Sequence, residues 1–146
     1  MWYNCHMEQT IFEKIINREI PAHIVYEDED TIAILDIAPK SLGHTLVIPK
    51  TVSRTLLEMD PDSLGQYFTV VQKVAQAVKK GLEADGCNLT INVEEAAWQE
   101  VFHTHTHIIP RYLRDGVTLS PGVHVAYSSP DQMSEYADRI KAQLTS

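Results

Sequence analysis

The stretch from Val101 to Arg111 reads VFHTHTHIIPR and places His103, His105 and His107 at every second position. On an extended strand, alternate side chains share a face and stand about 6–7 Å apart. The pattern therefore predicts a strand over residues 101–110, ended by Pro110, with three imidazoles in a row. Phe102, Thr104, Thr106 and Ile108 would take the other face. Histidine brings no packing advantage to a sheet, and a row of imidazoles repels itself once protonated. A functional role is the better explanation. Two chemistries fit. One is metal ligation, although rings on a straight strand diverge too far for easy tetrahedral convergence. The other is phosphate transfer, in which one neutral imidazole attacks phosphorus while its neighbours orient it or protonate the leaving group.

Working outward, NLTINV (88–93) predicts the preceding strand, and EEAAWQE (94–100) a polar loop. Upstream, Leu64, Tyr67, Phe68, Val71, Val74, Ala75 and Val78 recur at helical spacing between Asp60 and Glu83. Asp60 and Pro61 suit its cap and first turn. HIVYEDED and TIAILDIAP (23–39) predict a hairpin about an acidic turn, and HTLVIPK (44–50) another short strand, opened by Gly43. IFEKIINRE (11–19) predicts a short amphipathic helix stopped by Pro21, and SSPDQMSEYADRIKAQL (128–144) a C-terminal one. Residues 112–127 are expected to form an ordered loop. The fold class is α+β: a five-stranded, mainly antiparallel sheet with one long helix, a short N-terminal helix and a C-terminal helix. Residues 9–146 are expected to form a single domain, preceded by a flexible arm over residues 1–8.

Composition narrows the functions. A formal net charge of −8 over 146 residues argues against a nucleic-acid or anionic-membrane surface, since phosphate binding needs clustered cations. Cys5 and Cys87 are the two cysteines, too few for a disulfide framework, which favours a reducing cytoplasm. No stretch approaches the roughly 20 apolar residues of a membrane span.

VFHTHTHIIPR resembles the signature of the histidine triad (HIT) family of nucleotide hydrolases and transferases. TIFEKIINREIPAHIVYEDEDTIAILDIAPKSLGHTLVIPK is similar to that family's N-terminal half and NVEEAAWQEVFHTHTHIIPR to its active-site half, within a Hint-like bacterial branch. The resemblance implies the HIT-like fold and reaction at the α-phosphorus of nucleoside 5′-phosphoramidates or related nucleotides. It implies His105 as nucleophile, His107 at the phosphate or leaving group, and His103 and His44 as support. Asp36 would bind ribose hydroxyls, Ile37 would lie near the base, and Asn92 and Gln99 would lie at the phosphate and leaving-group end. A homodimer with a continuous sheet is also implied.

Departures from the family shape further expectations. Zinc-containing relatives carry ligands where this chain has Thr10, Glu13 and Val52, so no structural zinc is expected and no cofactor is required. Trp98 stands where many relatives have glycine and would cap the site or pack at a subunit boundary. Glu100 stands where several have a small hydroxyl residue. Its carboxylate would disfavour phosphate and favour a cationic leaving group. The expected activity is a purine nucleoside phosphoramidase, cytoplasmic, releasing AMP or GMP. The alternatives are a diadenosine polyphosphate hydrolase and a noncatalytic nucleotide-binding scaffold.

Overall fold

A computed structural model describes residues 8–144 of the chain. Cys5 and the expected arm, apart from Glu8, lie outside the described residues. Three α-helices are described, α1 (Ile11–Ile16), α2 (Pro61–Gly81) and α3 (Pro130–Lys141). The five strands are β1 (Ile24–Glu27), β2 (Thr31–Leu35), β3 (Thr45–Pro49), β4 (Gly86–Thr90) and β5 (Thr106–Arg111). They form one sheet in the order β1-β2-β3-β5-β4, and every neighbouring pair is antiparallel. The α+β class expected from the sequence is the class observed.

Helix boundaries follow local chemistry. Thr10 and Glu13 make a capping box: the Thr10 hydroxyl accepts from the Glu13 amide at 3.2 Å and the Glu13 carboxylate accepts from the Thr10 amide at 2.7 Å. Asp60 caps α2 ahead of Pro61, and Ser129 caps α3 ahead of Pro130. Strand alternation then sorts side chains into two cores. Ile32, Ile34, Leu46 and Ile48 face α1 and pack with Phe12 and Ile15. Ala33, Leu35, Val47 and Ile108 face α2 and α3, meeting Tyr67, Val71, Val74, Val78, Ala137 and Ile140. Each fully buried aliphatic side chain contributes about 1.5–3 kcal/mol. The Tyr67 hydroxyl donates to the Val47 carbonyl at 2.8 Å and, since it has one hydrogen, accepts from the Thr106 hydroxyl at 2.6 Å. Phe68 is exposed, at the edge of the helical stripe, with its ring edge-on to Tyr67.

Two strand boundaries differ from expectation. The strand expected over residues 101–110 starts only at Thr106, because β3 offers it three register partners, Thr45, Leu46 and Val47. Residues 101–105 turn away instead, and the Thr104 amide donates to the Ser53 carbonyl at 2.9 Å. The three histidines are therefore not a straight row. The preceding strand spans 86–90 rather than 88–93, since Gly86 through Thr90 are the residues that pair with Arg111 through His107. Two unforeseen 3-10 turns, Leu56–Glu58 and Glu95–Ala97, interrupt the connections.

Candidate active site

The site gathers on the α1 side of the sheet. His107 lies on β5 opposite Leu46 of β3, so the two share the face that looks toward α1. His103 and His105 sit in the bend just before β5, 0% and 7% exposed. His44 comes from the residue before β3, and Asp36 from the residue after β2. The loop between them is closed by the Asp36 amide donating to the His44 carbonyl at 2.9 Å. Gly43 in that loop has φ +94, a conformation that favours glycine.

Partners of fixed polarity settle which ring nitrogens carry hydrogen. A backbone amide only donates, and the Lys40 amide reaches His44 Nδ1 at 3.0 Å. Neutral His44 therefore carries its hydrogen on Nε2 and donates it to His107 Nδ1, 3.0 Å away. His107 is left with its hydrogen on Nε2. A carbonyl only accepts: His105 Nδ1 donates to the His103 carbonyl at 2.7 Å, leaving a bare lone pair on His105 Nε2. His103 Nε2 donates to the Pro49 carbonyl at 2.7 Å, and the Thr10 hydroxyl supplies the hydrogen to His103 Nδ1 at 3.1 Å. Phe12 stands edge-on to His103 and His105, with centroids 5.8 and 4.9 Å away, and the His105 and His107 rings meet at 4.9 Å.

Burial makes all four imidazoles weak bases. It pushes His44 down to about 3, helped by the neighbouring His107, and His107 down to about 4, helped by His105. His103 and His105 are also lowered, again chiefly by burial. The network is thus neutral near pH 7, and the 3.7 Å approach of His44 Nε2 to Asp36 Oδ2 is not an ion pair there. Burial raises the Asp36 carboxyl; the Ala38 amide, donating to Asp36 Oδ1 at 2.9 Å, opposes the rise, and the Glu100 charge adds to it.

Glu100 is exposed, and its charge also favours protonated His105, against the larger effect of burial. Ile37, 81% exposed, projects beside Asp36. The loop before the bend is rigidly tied. Gln99, 4% exposed, accepts from the Glu94 amide at 2.8 Å and donates to the Arg54 and Val101 carbonyls at 2.8 and 3.1 Å. Its amide thus holds the chain's own backbone. The Asn92 side chain donates to the Trp98 carbonyl at 3.2 Å. Trp98 itself has φ 69 and ψ 29, a left-handed conformation that favours glycine, and its indole is exposed. The Trp98 amide donates to the Glu95 carbonyl at 2.9 Å.

Two groupings bear on metal. Thr10, Glu13 and Val52 do not fit a zinc site with His103: the threonine and glutamate are engaged in the capping box, the threonine also holds His103, and Val52 offers no donor atom. Among the described residues, ligand atoms of Asp36, His44 and His107 lie within 4.8 Å of one another. His44 Nε2 bears the hydrogen, however, so the atom facing that space is a donor rather than a lone pair. Among the described residues no helix is long and apolar enough to cross a membrane.

Some participants were not foreseen. Phe12 is a core residue, as the apolar spacing of the first helix implies, but its contact with the His103 and His105 rings has no sequence signal. Lys40 left no signal at all; its ammonium donates to the Ser120 carbonyl at 2.5 Å and to the Val123 carbonyl, tying residues 120–123 to the Asp36 loop. Tyr127 accepts from the Gly43 amide at 2.9 Å.

The HIT domain model matches residues 17–113. The chain is 49% identical over 112 residues, 77% of its length and 86% of the relative's, to an uncharacterized HIT-like protein of Methanocaldococcus jannaschii. It is 43% identical over 105 residues to the adenylylsulfatase HINT3 of Arabidopsis thaliana, covering 72% of this chain and 53% of that one. A crystal structure of a Hit-like protein involved in cell-cycle regulation from Bartonella henselae superposes with a TM-score of 0.82 at 44% identity, covering 92% of this chain and 96% of the other. By sequence, fold and the histidine constellation together, the chain belongs to the HIT domain family.

Proposed function

We propose that the protein is a nucleotide-binding hydrolase acting at the α-phosphorus of purine nucleoside 5′-phosphoramidates, releasing AMP or GMP through a covalent nucleotidyl-His105. The observation that carries this is the lock on His105: its Nδ1 hydrogen is held by the His103 carbonyl, so Nε2 presents a lone pair and stays neutral near pH 7. That atom attacks phosphorus, and the bond from phosphorus to the leaving amine breaks. His107 Nε2, which carries hydrogen because Nδ1 accepts from His44, donates toward the phosphate and gives that proton to the departing nitrogen, taking one back from the water that attacks in the second step. Water then attacks the same phosphorus, freeing His105 and the nucleoside monophosphate. A bound metal is not required by this route.

The remaining assignments follow the same logic. Asp36 accepts from ribose hydroxyls, Ile37 packs against the base, and Trp98 walls the leaving-group side. Asn92 and Gln99 act by shaping the loop, as their own bonds support. The adenylylsulfatase relative supports an adenylyl group as the part held. Glu100 favours a cationic leaving group over a neutral one; Glu100→Ser should narrow that preference, and unchanged ratios on matched substrates would end the idea. A homodimer is proposed through the edge strand β4, where Leu89 is 48% exposed; sedimentation of the full chain tests it. The function itself is tested by AMP release from adenosine 5′-phosphoramidate against diadenosine tetraphosphate, without added metal. Preference for the phosphoramidate is expected. Preference for the tetraphosphate would move the assignment to the dinucleotide class, and AMP binding without turnover of either would make it a binder.

A further inference from the structure

We infer that the Thr10 hydroxyl positions the proposed nucleophile from outside the site, by fixing the His103 ring and through it the carbonyl that holds His105. This rests on the reading of His105 as nucleophile. His103 is fully buried, so both ring nitrogens need partners inside the protein. The Pro49 carbonyl takes the Nε2 hydrogen at 2.7 Å, and Thr10 at 3.1 Å is what the structure offers Nδ1. A hydroxyl has one hydrogen to give. Thr10 Oγ1 accepts from the Glu13 amide at 3.2 Å, so its own hydrogen is left to point at His103.

The ring so fixed spans from the start of α1 to the end of β3. Its residue's carbonyl accepts from His105 Nδ1 at 2.7 Å, the contact that leaves Nε2 bare. Phe12, two residues beyond Thr10, sits edge-on to both rings and stops them from tilting. Without the hydroxyl, His103 Nδ1 is buried and unpaired. The ring then regains a partner for Nδ1 only by turning, which gives up Pro49. That turn moves the His103 carbonyl, and His105 loses the partner that selects its reactive tautomer.

Thr10→Val removes the hydroxyl at nearly constant shape, Thr10→Ser restores it, and Glu13→Ala removes the other half of the cap while leaving the Thr10 to His103 bond. Steady-state kinetics on adenosine 5′-phosphoramidate should show kcat lower by about tenfold in Thr10→Val with KM changed less than about twofold. Thr10→Ser should recover it. Glu13→Ala should lower the melting temperature with kcat within about twofold of wild type. Equal loss of kcat in Thr10→Val and Glu13→Ala, or an undiminished kcat in folded Thr10→Val, would overturn the inference. Imidazole nitrogen NMR separates this from the parent reading. Wild type should show His105 with hydrogen on Nδ1, and Thr10→Val a mixture of tautomers. That change in a protein without turnover would keep the relay and remove the catalytic reading, whereas an unchanged His105 spectrum in folded Thr10→Val would overturn the relay regardless of activity.

Discussion

Lowering the pH from 7 to 5 should destabilise this protein far more than its exposed charges suggest. His44 and His107 have folded pKa values of about 3 and about 4, below the value near 6.5 of an exposed imidazole. As pH falls through 6.5 the unfolded chain takes up protons that the folded chain refuses, so stability is full above 6.5 and is lost toward the folded values. Each such imidazole costs about 1.4 kcal/mol per pH unit, hence about 2 kcal/mol between pH 6.5 and 5. The two together cost about 4 kcal/mol, a large share of the roughly 5–15 kcal/mol that holds a domain folded. His103 and His105, lowered in the same direction, steepen the slope. Asp36, raised by burial, acts in the opposite sense, but only as pH approaches the carboxylate range. Urea unfolding at the two pH values measures the loss directly. His44→Asn, which cannot titrate, should reduce that loss by about 2 kcal/mol even though it lowers stability at pH 7. Equal stability of wild type at pH 7 and pH 5 would refute the claim that these rings are buried and neutral.

Other substitutions test separate parts of the structure. Tyr67→Phe leaves the buried Val47 carbonyl and Thr106 hydroxyl without their shared partner, and thermal or urea unfolding should show a loss of about 1–3 kcal/mol with KM unchanged. Trp98→Gly relieves the left-handed strain at φ 69, and stability should stay level or rise by up to about 1 kcal/mol while KM for phosphoramidates with bulky leaving groups rises. Gly43→Ala forces a Cβ to within 2.1 Å of Leu82 Cδ1 at φ +94, next to His44; unfolding should become easier by at least about 1 kcal/mol and kcat should fall.

Much of the fold was legible because local rules and tertiary packing agree. The spacing of Tyr67, Val71, Val74 and Val78 gave α2, and the alternation around His107 correctly put Thr106 and Ile108 on the opposite face. The bend at residues 101–105 was not legible, since it depends on how far β3 can pair with β5, a matter settled by residues about 60 positions away. For the same reason the histidine spacing suggested a row of rings, whereas their hydrogen placement depends on Lys40, Pro49 and Thr10, which lie far off in the chain. Gln99 illustrates a residue whose type was informative and whose direction was not: an amide near a phosphate site can serve substrate or backbone, and here its bonds run to Glu94, Arg54 and Val101. Trp98 was visible as an oddity against the resemblance, and its backbone takes the left-handed conformation that glycine adopts most easily.

The most direct test of the central claim is to mix the protein with adenosine 5′-phosphoramidate, quench in the first turnover under conditions that preserve phosphorus–nitrogen bonds, and map the mass of any covalent adduct. The proposed chemistry predicts one adenylyl group on His105 of the wild-type chain, and neither adduct nor AMP release from folded His105→Ala. Undiminished AMP release by His105→Ala, or an adduct on another residue, would contradict it.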